Sequence, residues 1–187
     1  MFEPPILAQP FLTVLYLAFA NNLVLFYLGG LGTALNVSRR LDSAMIFAIS
    51  NGIIIALSSV ATWILYKTSL QPLHWEILTP LLGMLVAGVL VLIVDRFWLH
   101  RPIDQFVLLT IGNSAIIASL LAALEQSFTV MLALAIGSGI GFIMVVILLT
   151  AIRARVEDNV TPHATRGLAS DLLVLGLMAV ALTGLVG

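Results

Sequence analysis

Long uncharged runs separated by short charged stretches are the dominant pattern of this chain. The runs cover residues 4–38, 43–66, 77–94, 105–124, 126–152 and 172–187. Most are close to the roughly 20 residues that an α-helix needs to cross about 30 Å of hydrocarbon. The pattern therefore predicts an all-α polytopic membrane protein with six transmembrane segments, forming one integral membrane domain over residues 1–187.

Composition agrees with a membrane protein and narrows its chemistry. The chain is 61% hydrophobic and 9% charged, whereas about 25% of the residues in a soluble domain carry charge. It has no cysteine, which excludes disulphides and thiolate metal sites on this chain alone. A net charge of -1 predicts no nucleic-acid partner and leaves the lipid bilayer as the surroundings. The start has no basic n-region, so we expect no cleaved signal peptide.

Amide side chains and glycines interrupt two of the six apolar segments, the first and the fourth. The residues are Asn21, Asn22, Gly29, Gly30 and Gly32 in the first, and Gly112, Asn113 and Ser114 in the fourth. Unsatisfied polar groups are costly at hydrocarbon depth, so such residues indicate broken helices facing protein or a polar cavity. A helix-packing face is the alternative for the first segment.

The interrupted segments are the first members of two sets of three. A three-segment unit repeated once returns in the opposite orientation, which predicts an inverted repeat with a site at the membrane midplane. The first repeat would cover about residues 1–100 and the second about residues 101–187.

The cationic residues fall mainly on one side of the predicted segments. Only Lys67 lies on the other side, whereas the remaining seven are Arg39, Arg40, Arg96, Arg101, Arg153, Arg155 and Arg166. The positive-inside rule then places the first, third and fifth loops in the cytoplasm and both termini outside, in a bacterial or archaeal inner membrane.

The remaining polar residues predict packing rather than catalysis. No acidic or basic residue falls inside a run, which argues against a self-contained ion pump. Asn51 favours interhelical hydrogen bonding, and the aspartates at segment ends favour ion pairs: Asp42, Asp95, Asp104 and Asp171. Gly137, Gly139 and Gly141 favour close helix packing over a phosphate loop, since no strand precedes them. We find no metal-ligand spacing and no catalytic motif.

Three stretches resemble the A-subunit family of the Rnf ion-translocating electron transport complexes, which is related to the E subunit of sodium-translocating NADH:quinone reductases. They are NNLVLFYLGGLGTALNVSRRLDSAM, GNSAI and the final GSGIGFIMVVILLTAIRARVEDNVTPHATRGLASDLLVLGLMAVALTGLVG. The resemblance implies a non-catalytic membrane subunit of a translocating oxidoreductase. It also implies flavin and iron-sulphur subunits and a homologous six-segment partner of opposite orientation, with which the family shares a [2Fe-2S] cluster.

The chain departs from that family at the cluster. The positions that match the two family cysteines are Gly32 and Ser114, and neither supplies the soft thiolate that iron prefers. We therefore expect no cluster held by this chain alone. Unusual ligation by the partner and a stand-alone inverted-repeat transporter or channel for a small solute or ion are the alternatives. The inverted repeat also predicts that Gly32 and Ser114 lie within about 15 Å of each other.

Overall fold

All regular structure in the part of the chain that the computed structural model describes is helical. That part comprises residues 9–37, 40–94, 96, 104–157 and 167–184. The helices are α1 (Pro10–Leu15, continued by the π-helical turn Tyr16–Ala20), α2 (Leu23–Tyr27), α3 (Leu31–Asn36), α4 (Leu41–Leu65, continued by the π-helical turn Tyr66–Leu70), α5 (Thr79–Val94, preceded by the 3-10 turn Glu76–Leu78), α6 (Asp104–Ile111), α7 (Ser114–Ala123), α8 (Phe128–Glu157) and α9 (Leu168–Thr183).

Within the described residues, three helical stretches are long and apolar enough to cross a membrane. They are Leu41–Leu70, Glu76–Val94 and Phe128–Arg155. Three further apolar stretches are shorter: Pro10–Ala20, Val107–Ala123 and Leu168–Thr183. The described chain is thus an all-helical, polytopic membrane protein, as the uncharged runs predict. The first and fourth runs are divided into shorter helices, α1 to α3 and α6 to α7.

Helices α4 and α8 form the centre of the fold and pack most extensively against each other. Their backbones touch where Gly52 meets Gly139, because a Cβ atom on Gly139 would lie 2.5 Å from the Gly52 carbonyl oxygen. Small residues allow this approach in membrane helices, where van der Waals packing drives association. It is the close packing that the glycines of the fifth run predict.

Polar side chains of α4 point into the fold. Five of them are buried: Ser50, Asn51, Ser58, Ser59 and Thr62. The hydroxyls of Ser59 and Ser119 lie 2.9 Å apart and join α4 to α7. Large apolar side chains of α5, including Leu81 and Leu85, are instead exposed. This polar-in, apolar-out arrangement suits a chain whose solvent is lipid.

Candidate functional site

The first break begins where the π-helical turn after α1 ends. The backbone N–H of Asn21 donates to the Tyr16 carbonyl at 2.7 Å. Asn22 then adopts an extended conformation, with ψ 126°. The Asn22 Oδ1 accepts from the Val24 N–H at 2.9 Å, so Asn22 is the N-cap of α2.

The rest of the Asn22 amide is also used. Its Nδ2 donates to the Ala18 carbonyl at 2.9 Å and to the Gly141 carbonyl on α8 at 3.0 Å. The side chain is fully buried. Gly141 has to be glycine for this contact, since a Cβ there would lie 2.7 Å from the Asn22 Nδ2. One asparagine therefore satisfies both sides of the break and ties it to α8.

A second interruption follows in the same segment, between α2 and α3. Leu28 and Gly30 both adopt positive φ, 56° and 79°, and the Gly29 N–H returns to the Leu23 carbonyl at 2.9 Å. The Leu28 N–H bonds the same carbonyl. The two bonds close the end of α2, with leucine in the left-handed position that glycine usually takes. Gly30 is the N-cap residue of α3.

The break in the fourth run repeats the capping arrangement of Asn22. Gly112 and Asn113 separate α6 from α7, and the Asn113 Oδ1 accepts from the Ala115 N–H at 3.0 Å. The Asn113 Nδ2 lies 3.4 Å from the Asn51 Oδ1 on α4, and Asn113 is almost fully buried. Asn51 thus makes the interhelical contact that its position predicts.

The two breaks are in direct contact. The Gly30 N–H donates to the Ser114 Oγ at 2.8 Å. The Thr33 Oγ1 donates at 3.1 Å to the carbonyl of Leu109, in the last turn of α6. A Cβ on Gly30 would lie 2.6 Å from the Asn113 Oδ1, so the Gly30 backbone packs directly against the Asn113 side chain.

Gly32 lies beside this contact on an open face. It follows Gly30 by two residues, a span of at most about 7 Å of chain, and it is exposed, as is Ser114. Among the described residues, a Cβ on Gly32 would meet nothing within 4 Å. The first turn of α3 thus leaves room at position 32 for a larger side chain or for a neighbouring molecule.

The sequence-predicted site residues fall into two groups. One group forms or adjoins the contact between the breaks: Asn22, Gly29, Gly30, Asn113 and Ser114. Gly29 belongs to it because it packs against α7, where a Cβ on Gly29 would lie 3.2 Å from the Ala118 Cβ. Asn21 is only half-buried, and Gly112 is exposed at the end of α6.

Two contacts of the site were not predicted from the sequence. Thr33 and the Leu109 carbonyl join α3 to α6, and Gly141 accepts from Asn22. Thr33 stands within the glycine-rich stretch, next to Gly32, and a search for hydroxyls beside broken helices would have selected it. The partner of a backbone carbonyl, by contrast, has no signature in the side-chain pattern.

The residues present do not fit a cysteine-ligated cluster. Gly32 has no ligand atom, and the Ser114 hydroxyl is already engaged by the Gly30 N–H. Among the described residues, no three His, Asp or Glu side chains come close enough together to hold a metal ion. The chemistry that the site offers is hydrogen bonding between half-helices through amide and hydroxyl groups, which are poor ligands for iron in a cluster.

Comparison with known proteins gives a consistent result over nearly the whole chain. The sequence pattern of one family, described as "Rnf-Nqr subunit, membrane protein", matches residues 11–187. A relative from Alcanivorax borkumensis, named as the A subunit of an ion-translocating oxidoreductase complex, is 32% identical over 89% of this chain and 91% of its own length.

Two further relatives carry similar names. The protein of the same name from Syntrophotalea carbinolica is 29% identical over 89% of this chain and 91% of its own length. The A subunit of the Na(+)-translocating ferredoxin:NAD(+) oxidoreductase complex of Acetobacterium woodii is 27% identical over 90% of this chain and 92% of its own length.

Proposed function

The chain belongs to the Rnf-Nqr family of membrane subunits, and we propose that it serves an Rnf-like ion-translocating electron transport complex without a cysteine-ligated cluster of its own. One observation carries the second half of this proposal. At the positions that the family resemblance assigns to cluster cysteines stand Gly32 and Ser114, and Ser114 bonds the Gly30 N–H of the opposite break. Direct hydrogen bonds thus hold the breaks together.

Two matching hydrogen bonds support an inverted repeat of three plus three segments. Asn22 caps α2 and donates to Gly141 on α8, whereas Asn113 caps α7 and approaches Asn51 on α4. The two asparagines lie about 90 residues apart, and so do their two acceptors, which fits repeats of about 1–100 and 101–187. Each break thereby contacts the second predicted segment of the other half, α8 or α4.

The cationic residues support a fixed orientation in the inner membrane. Lys67 stands alone against seven arginines on the other side of the predicted segments. With the positive-inside rule, this places both termini on the outer side.

The open face beside the breaks supports a protein partner. Gly32, Gly112 and Ser114 are exposed, and backbone and hydroxyl groups at hydrocarbon depth need protein or water around them. The relatives' names describe multi-subunit complexes. We propose a homologous six-segment subunit of opposite orientation on this face, with flavin and iron-sulphur subunits elsewhere in the complex.

Affinity purification of a tagged chain in mild detergent, followed by mass spectrometry, tests the proposal. We expect the homologous membrane subunit and the flavin and iron-sulphur subunits to be recovered together. Recovery of the chain alone, or only with itself, would contradict the proposal and favour the stand-alone transporter.

A matched pair of variants locates the partner. Gly32→Trp places a large side chain on the open face, where a Cβ would meet none of the described residues within 4 Å. It should remove the homologous subunit from the purified complex without unfolding the chain. Leu85→Trp, at an exposed position of α5, should leave the recovered subunits unchanged. Equal recovery with both variants would place the partner on another face.

A further inference from the structure

A buried ion pair lies at the end of α3 that is remote from the break. Arg153, near the end of α8, donates from Nε to the Asp171 Oδ1 at 2.6 Å and from Nη2 to the Asp171 Oδ2 at 2.7 Å. Asp171 is in the first turn of α9. The side chains are only 5% and 11% exposed. The pair is therefore bidentate and largely shielded from solvent.

The same guanidinium reaches α3. Arg153 Nη2 also donates to the Leu35 carbonyl at 3.2 Å. Leu35 is in the last turn of α3, and the next residue after the helix, Val37, is extended with ψ 147°. The last four carbonyls of a helix have no donor within the helix. Arg153 supplies one from another helix, and its charge suits the negative end of the helix dipole.

Helix α3 depends on such contacts for its position. It has six residues, too few for a helix to be stable by itself. The left-handed residues Leu28 and Gly30 precede it, and the extended Val37 follows it. Ser114 bonds its first end and the Leu109 carbonyl bonds its middle. Arg153 bonds its last turn.

We propose that Arg153 and Asp171 are positioning residues that fix α3, and with it Gly32, against α8 and α9. Arg153 caps the last turn of α3, and Asp171 holds the guanidinium in the orientation that reaches the Leu35 carbonyl. This goes beyond the proposed function, because it concerns the geometry of the purified chain whichever complex contains it.

Spin-label distances test the proposal directly, because the chain contains no cysteine and two introduced cysteines can be labelled selectively. Gly32→Cys puts one label on the open face of α3, and Ile136→Cys puts the other at an exposed position of α8. The distance between them is compared with and without R153M/D171L. This double variant removes both charges together and so leaves no unpaired buried charge.

In the labelled parent we expect one narrow distance distribution. In R153M/D171L we expect a distribution roughly twofold wider, or a second population. The reason is that α3 loses its C-terminal cap and keeps the contacts at its first end and its middle. Thr150→Val is the matched control, because Thr150 is also buried on α8 and donates to the Val146 carbonyl within that helix. Its distribution should equal that of the parent.

A second control separates positioning from general stability. Leu134→Ala opens a cavity in a different buried cluster and lowers the melting temperature, but it should leave the distance distribution narrow. The proposal would be overturned by an unchanged distance distribution in folded R153M/D171L. It would also be overturned if Leu134→Ala broadened the distribution equally at the same loss of melting temperature. If R153M/D171L does not fold, R153Q/D171N, a neutral polar pair, decides the question by the same two outcomes.

Discussion

The break at Asn22 in the first run and the break at Asn113 in the fourth run begin alike but are held by different contacts. In each, an asparagine leaves the helix, accepts from the N–H two residues ahead and so caps the next half-helix. Asn22 then makes two firm bonds, at 2.9 and 3.0 Å, to the Ala18 and Gly141 carbonyls. Asn113 makes one long contact, at 3.4 Å, to Asn51.

The difference lies in what surrounds each asparagine. In the first run, the break at Asn22 is followed by another interruption, Leu28 to Gly30, and then by α3. In the fourth run, the break at Asn113 leads directly into the ten-residue α7. The interrupted first run is therefore held by several polar contacts and by glycines that pack closely against neighbouring residues. The short half-helix α3 is thus held by contacts at both ends and in its middle, whereas the longer α7 follows a break that Asn113 caps.

Gly30→Ala should have the largest effect on this arrangement. Gly30 has φ 79°, and a Cβ there would lie 2.6 Å from the Asn113 Oδ1 and 3.0 Å from both Ala115 and Phe142. We expect a loss of about 2–5 kcal/mol in the free energy of unfolding, from backbone strain and overpacking together. Unfolding in mixed micelles by SDS titration measures it. A loss below that of Asn113→Ala would show that the two breaks are not in close contact.

Asn22→Ala should come next and should cost more than Asn113→Ala. The first variant leaves the Val24 N–H and the Ala18 and Gly141 groups without a side-chain partner, for a loss of about 2–4 kcal/mol. The second loses a cap and a long contact, about 1–2 kcal/mol. The same titration compares them, and the reverse order would contradict the hydrogen-bond difference between the breaks.

Ser114→Ala should have a smaller effect that is specific to the contact between the breaks. It removes the acceptor of the Gly30 N–H, a loss of about 0.5–1.5 kcal/mol. Ser114→Thr keeps the hydroxyl and serves as the control. A nitroxide on Gly32→Cys should gain mobility in Ser114→Ala but not in Ser114→Thr; equal mobility in both would show that this bond does not hold α3.

Gly32→Ala should change least. A Cβ at position 32 meets none of the described residues within 4 Å, and the residue lies within α3. Alanine is favoured over glycine in a helix by up to about 1 kcal/mol. We expect unchanged or slightly raised stability in the SDS titration of the purified chain. A loss comparable to that of Gly30→Ala would mean that position 32 is not on an open face.

The sequence predicts well the membrane character of the chain and which two uncharged runs, the first and the fourth, are interrupted. Uncharged runs and misplaced amides are strong signals, because hydrocarbon penalises polar groups. Asn22 and Asn113 stand out for that reason, and both are helix caps in the structure. The glycines of the fifth run predict close packing, and Gly139 shows it against Gly52.

Other features depend on the three-dimensional packing and have weak sequence signals. The aspartate at position 171 is predicted to pair at the membrane surface, and the structure pairs it with Arg153 in a largely buried position. The third bond of that arginine, to the Leu35 carbonyl, joins residues 118 positions apart. The side chains of Asp95 and Asp104, for which ion pairs are also predicted, lie outside the described residues.

The iron content of the purified protein with its membrane partner tests most directly whether hydrogen bonds replace a cluster at the breaks. Iron, acid-labile sulphide and the visible spectrum should be compared between the natural chain, Ser114→Ala and the double variant G32C/S114C. We expect no iron-sulphur signal that depends on Ser114, and a new signal in G32C/S114C if the partner supplies its own cysteines. A cluster signal in the natural chain that Ser114→Ala abolishes would contradict the proposal.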